Sequence, residues 1–386
     1  MPKSVSTRFF DFWLFGGASI VLFVFMATGN YFRENSPLMQ QKFLLVFPVF
    51  SLLSIFCNDP HFIISYRFGY SRGFGFLGKY WFSLIAVPTL LLTLYVAAYV
   101  YFDSDVSQFW IVQAANSFFE FLNLTYRFGG TATLGRELLS LSIWIMYLTV
   151  GWHYSKQIYG CLMVYNKFDD YQLSRADKYI FKYSLLFLAL YQFMFLSKIM
   201  DQSAGGYQDP RYSGIQILPL GLPHWLFVIS KILAILSFGA VIAVMMTKFF
   251  KNKKLPSPTF VVAWLSIYFW WIQIFDLPEY YYMAVPFFHS LQYLPFAFKM
   301  EQKNIPLNRW TLTQVSLRLI VLVILGFLFF ELIPSTLDQK LDTDVSKTAW
   351  IFMTSFAVFI NIHHFFIDST VWRLEQPKVL MGLFKT

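Results

Sequence analysis

An all-α fold, a polytopic transmembrane helix bundle of about ten spans, is predicted by three features of this sequence. Of 386 residues, 57% are hydrophobic and only 13% are charged, about half the charged share of a typical soluble domain. Mean hydropathy is +0.52. Apolar runs approaching the roughly 20 residues that a helix needs to cross hydrocarbon recur along the whole chain. Aromatic residues reinforce the reading, with 47 Phe, 23 Tyr and 12 Trp. Phe suits lipid-facing and apolar cavity surfaces, while Tyr and Trp suit the membrane–water interface.

The runs lie near residues 10–29, 42–57, 80–102, 137–165, 179–200, 225–248, 258–275, 280–299, 316–334 and 347–367. Lys3 and Arg8 precede the first run and no small-residue cleavage site follows it. It is therefore expected as a retained helix rather than a signal peptide. The second run is short, and its continuation past Pro60 is expected to lie at the membrane interface. The stretch 106–126 carries Gln113, Asn116, Glu120 and Asn123, which marks it as an interfacial amphipathic or re-entrant segment rather than a span. Neither an internal repeat nor a low-complexity tract interrupts the pattern, so 1–386 reads as one integral membrane domain.

Charge orders these runs across the bilayer. The net charge of +9 does not indicate nucleic acid, because the Lys and Arg residues sit in short loops between apolar runs. With the N-terminus cytoplasmic, the segments 1–9, 58–79, 166–178, 248–257, 299–315 and 368–386 fall inside and hold 18 Lys plus Arg. The outer loops hold Arg33, Arg127, Arg136, Arg211 and Lys340, and Lys42 and Lys347 lie at the outer ends of their runs. An excess of Lys and Arg in short loops marks the cytoplasm. Both termini are thus expected inside, and a span at 106–126 would destroy the bias. The economy of the loops points to a bacterial inner membrane.

This topology gives the six histidines a pattern. His61 falls just past the second run, His153 in the inner half of the fourth, His289 near the middle of the eighth, and His363 and His364 at the end of the tenth. All four runs go from outside to inside, so five histidines share a depth in or near the cytoplasmic leaflet, and only His224 lies opposite. Polar residues accompany them at helical spacing: Lys156 and Gln157 follow His153, Gln292 and Tyr293 follow His289, and Asp368 follows His364 by one turn. Asn58 and Asp59 precede His61. Polar groups at membrane depth are costly unless they face the bundle interior or water.

The chemistry that such a group supports is metal binding. Three or four neutral imidazoles with oxygen neighbours suit Fe(II), Zn or Cu, and iron is preferred because a greasy, aromatic-rich interior suits an apolar substrate with few handles for hydrolysis. His61, His153, His289 and His364 are the expected ligands, with His363 a fifth candidate. His363 and His364 diverge by about 100° on a regular helix, and Asn361 and Asp368 share the face of His364. A ligating imidazole usually donates its second N–H to a carboxylate or carbonyl, a role for which Asp368 is spaced. Lys156, Gln157, Gln292 and Asp368 are the expected catalytic or ligand-orienting residues. Pro286 and Pro295 flank His289 and can kink its helix.

Fatty-acid desaturases and hydroxylases of membranes carry HxxH and HxxxH boxes and more histidines than this chain, which does not resemble them. Isolated histidines on separate helices look more like the membrane carotene-cleaving dioxygenases, an analogy of architecture rather than of local motif. Other signals carry less. Gly73, Gly75 and Gly78 spell GxGxxG, but a dinucleotide site needs a preceding strand in a βαβ unit. Lys231 and Glu331 lie near outer helix ends, where long side chains reach the interface. The expected function is therefore a histidine-ligated membrane metalloenzyme that oxidises a fatty acyl, isoprenoid or carotenoid chain entering from the bilayer, by oxygen-dependent cleavage, hydroxylation or desaturation. The alternatives are a transporter using intramembrane His, Lys and Glu, and a haem-binding electron carrier.

Overall fold

A computed structural model describes residues 4–33, 46–129, 133–201, 207–208, 216–271, 284–302, 312–341, 350–373, 376 and 383–384. Nearly all of them are helical. Helix α1 spans residues 8–33 and contains a π-turn at Trp13–Gly17; α2 is Val46–Tyr70, α3 Phe74–Lys79, α4 residues 82–100, α5 Trp110–Phe121, α6 Leu134–Phe168 and α7 Arg175–Asp201. Then come α8 at His224–Asn252, α9 at Pro258–Trp271, α10 at Val285–Gln302, α11 at residues 312–340 with a π-turn at Leu328–Leu332, and α12 at Ile351–Val371. Tyr207–Gln208 and Gln216–Ile217 form a two-residue antiparallel pair between α7 and α8.

The described part of each apolar run falls largely on one of these helices, while 42–45, 272–275, 280–283 and 347–349 lie outside the described residues. Among the described residues, six helices are long and apolar enough to cross a membrane: Arg8–Gly29, Phe82–Val100, Arg175–Asp201, His224–Asn252, Thr313–Lys340 and Ile351–Val371. The chain is an integral membrane protein on that ground. Burial sorts them. Only 11% of the most apolar window of α11 is buried, against 61% for α12, so α11 presents Leu317, Ile320, Val321 and Ile324 outward while α12 lies inside the bundle. The interior is aromatic, with Trp264, Trp270, Trp271, Phe181 and Phe260 fully enclosed between α6, α7 and α9.

One departure from the sequence-based expectation concerns α2. Helix α2 runs unbroken through Pro60 to Tyr70, which places His61 inside a helix and not beyond its end. Proline removes one backbone hydrogen bond, which membrane helices tolerate where neighbouring polar groups satisfy what is freed. Helix α5 has 12 residues, a length of roughly 18 Å against the roughly 30 Å of bilayer hydrocarbon. It exposes Trp110, Ile111, Phe118 and Phe121, and is tied down where Asn116 donates to the Phe128 carbonyl and accepts from its N–H at 2.9 and 2.7 Å.

The glycine-rich loop is a plain connection. No strand precedes it, Gly73 sits at φ 83 before α3, and a Cβ at Gly75 or Gly78 would meet nothing within 4 Å. Of the charged residues used to orient the loops, Lys3, Lys42, Arg211, Lys303, Arg309, Lys347, Lys378 and Lys385 lie outside the described residues.

Candidate metal centre

Four helices converge to build the site. Helix α12 packs against both α2 and α6, and α2 packs against α10. Each contributes one imidazole: His61 from α2, His153 from α6, His289 from α10 and His364 from α12. Their exposures are 0, 4, 2 and 0%. One ring nitrogen from each lies within 4.8 Å of the others. His153 Nε2 and His289 Nε2 are 3.1 Å apart. Two ligands of one ion, each about 2.1 Å from it, stand about 3.0 Å apart at right angles and at most about 4.2 Å apart. The 3.1 Å pair therefore already has the separation of adjacent ligands.

Buried polar atoms are nearly always hydrogen-bonded, and this cluster breaks that rule. His61 Nε2, His289 Nδ1 and both ring nitrogens of His364 have no hydrogen-bond partner. Several lone pairs gathered without donors in a dry interior call for a cation, and neutral imidazoles are the ordinary ligands of Fe(II), Zn and Cu. The residues fit a metal ion on this count.

The outer nitrogen of His61 is fixed by a hydrogen-bond chain. Its Nδ1 lies 3.0 Å from Ser290 Oγ. That hydroxyl donates onward to Asn58 Oδ1 at 2.7 Å or to the Pro286 carbonyl at 3.0 Å. Because the hydroxyl proton is committed, Ser290 accepts from His61 Nδ1–H, and the Nε2 lone pair is left pointing into the cluster. Such outer partners hold ring orientation and tautomer in metal sites. Aromatic rings wall the remaining sides: Tyr154 stacks on His289 at 3.9 Å, Tyr293 lies 4.0 Å from His61, and Phe365 stacks on His153 at 4.5 Å.

The other residues singled out by sequence distribute differently. Asp368 is in the cluster: its Oδ2 lies 3.5 Å from His364 Nε2, 3.9 Å from His61 Nε2 and 4.0 Å from His153 Nε2. His363 is not brought to the cluster. Its neighbouring position on the regular helix α12 turns it to a different face, where Tyr66 and Tyr70 take both ring nitrogens at 2.9 and 3.1 Å. Tyr70 O–H is already given to the Leu84 carbonyl at 2.6 Å, so Nε2–H of His363 donates to Tyr70 and Nδ1 accepts from Tyr66. Lys156 is exposed and rests over the Trp152 ring at 4.2 Å.

Gln157 and Gln292 brace the backbone behind the site. Gln157 Nε2 donates to the His289 carbonyl at 2.8 Å and approaches Gln292 Oε1 at 3.3 Å. Gln292 in turn donates to the Phe15 carbonyl in the α1 π-turn, and lies 3.4 Å from Ser266 Oγ on α9. Four helices are thereby linked through two amides. Ser290 is the residue that sequence reasoning passed over. Its only signal was adjacency to His289, and serine in a membrane helix commonly bonds its own backbone.

Comparison with known protein families, curated proteins and solved structures finds no match to this chain. The functional reading therefore rests on the site itself.

Proposed function

We propose that the protein is a membrane metalloenzyme with a non-haem iron held by His61, His153, His289 and His364, acting on an apolar, lipid-like substrate. The convergence of four buried imidazoles within 4.8 Å carries this reading. Bound iron would supply one-electron and dioxygen chemistry at that point. This chain's own residues exclude water with an aromatic wall, hold His61 through Ser290 and brace the His289 backbone through Gln157. The substrate is a fatty acyl, isoprenoid or carotenoid chain that reaches the site from the bilayer. The reaction is oxygen-dependent cleavage, hydroxylation or desaturation. The ten-helix topology with both termini cytoplasmic, and residence in a bacterial inner membrane, belong to the same proposal on the strength of the charge bias.

Two observations weigh against the alternatives. A porphyrin needs a flat slot between two imidazoles, whereas these four crowd around one point. A transporter needs polar groups along a route from both faces, whereas Lys156 and Lys231 are exposed at the periphery.

The test is oxygen incorporation. Iron-loaded protein in lipid nanodiscs, given a mixture of fatty acyl, isoprenoid and carotenoid chains under isotopically labelled dioxygen, should yield labelled or desaturated products by mass spectrometry. His153→Ala should abolish them. Product formation undiminished in that variant, or none from any substrate class with iron fully loaded, contradicts the reading.

A further inference from the structure

Asp368 stands in a place that an outer-sphere partner does not occupy. A carboxylate that merely orients a ligating imidazole bonds the nitrogen turned away from the metal. That is where Ser290 meets His61, at Nδ1. Asp368 Oδ2 instead approaches Nε2 of three histidines, at 3.5, 3.9 and 4.0 Å. One of these is the His61 nitrogen whose lone pair the Ser290 chain frees for the cluster. His364 Nδ1, the atom that an orienting carboxylate would seek, has no partner.

The distances are those of groups sharing an ion. Ligands at about 2.1 Å from one metal are separated by no more than about 4.2 Å, and the separations from His364, His61 and His153 fall below that limit, while His289 stands on the far side of the cluster from the carboxylate. Helical geometry makes the pair natural, because His364 and Asp368 are four residues apart and so share a face of α12. Charge supports it as well. Asp368 is 94% buried on the 6% exposure of its residue, and its Oδ1 makes no hydrogen bond. A carboxylate at that depth needs a cation, and a divalent ion among four neutral imidazoles needs an anion. The Ser65 hydroxyl and the Trp372 indole lie near the carboxylate.

We propose that Asp368 Oδ2 is itself a ligand of the metal, completing a donor set of four imidazole nitrogens and one carboxylate oxygen. The proposal rests on the metal-centre reading above and extends it. A hard oxygen donor turns the site away from Cu(I) and toward divalent Fe, Mn, Co or Zn. It also leaves a single position of an octahedron open, so one small molecule can bind at a time.

Cobalt(II) reports both coordination number and affinity. The full-length protein in detergent, stripped of metal and titrated with Co²⁺ alone, should give the moderate-intensity visible band of a five-coordinate ion. Asp368→Asn should shift that band and weaken Co²⁺ binding by more than about 100-fold, beyond the 10–100-fold range that losing an outer-sphere partner costs. Acetate added to Asp368→Ala should restore the wild-type band, and Asp368→Glu should keep it. An intense tetrahedral band in the wild type overturns the proposal without recourse to any variant. So does Asp368→Asn that keeps the wild-type band with binding weakened tenfold or less. Wild-type protein that takes up no Co²⁺, or His153→Ala that binds it as wild type does, overturns the four-histidine reading itself and the carboxylate with it.

Discussion

At the scale of single residues, what separates a ligand from a bystander is the fate of its ring nitrogens. His363 and His364 are neighbours in sequence, yet both nitrogens of His363 are spent on Tyr66 and Tyr70 while both of His364 are free. His363→Phe should leave metal content unchanged. It should lower thermal stability by about 1 kcal/mol, the cost of leaving a partly buried Tyr66 hydroxyl without its partner; metal analysis and a melting curve on the same preparation check both. Ser290→Ala is expected to act on both. It should weaken Co²⁺ binding roughly 10–100-fold by releasing the His61 ring, and lower stability by about 1–3 kcal/mol because the buried His61 Nδ1–H loses its acceptor. The histidines were legible from sequence because the charge bias set their depth. Ser290 was not, because a hydroxyl's partner 229 residues away in the chain leaves no periodic trace. The interior position of His61 was hidden by Pro60, a residue that ends helices in water and not in a packed membrane bundle.

Among the elements, the π-turn of α1 does the most to shape the site's surroundings. It frees the Phe15 carbonyl to accept from Gln292 and lets α1 settle against α9. Glycine is required there, because a Cβ on Gly16 would collide with the Val262 carbonyl oxygen. Gly16→Leu should therefore destabilise the protein by about 3 kcal/mol, the cost of overpacking a close contact, and loosen the amide network behind His289. Gly75→Ala is the matched control, since nothing lies within 4 Å of its added methyl; thermal unfolding in detergent should separate the two. The helices themselves were readable as apolar runs. Their irregular turns were not, because a π-turn is a local response to packing and carries no hydropathy signal.

For the whole molecule, the arrangement is a shell of lipid-facing helices such as α8 and α11 around an inner set, α2, α6, α10 and α12, that carries the polar residues. The four helices bearing the site spend apolar positions on His, Asp, Ser and Gln. The proposed topology predicts that single cysteines placed in 248–257 label only from the cytoplasmic side, and one at Asp105 only from the other; labelling of both from one side would contradict it. The central claim, however, is that these polar positions converge in order to hold metal. The most direct measurement is the metal content and absorption spectrum of protein purified anaerobically from iron-supplemented cells, wild type beside His153→Ala and His364→Ala. Stoichiometric iron in the wild type, lost in both variants and accompanied by no Soret band, is the predicted result. Wild-type protein without bound metal, or variants that retain it in full, would contradict the account.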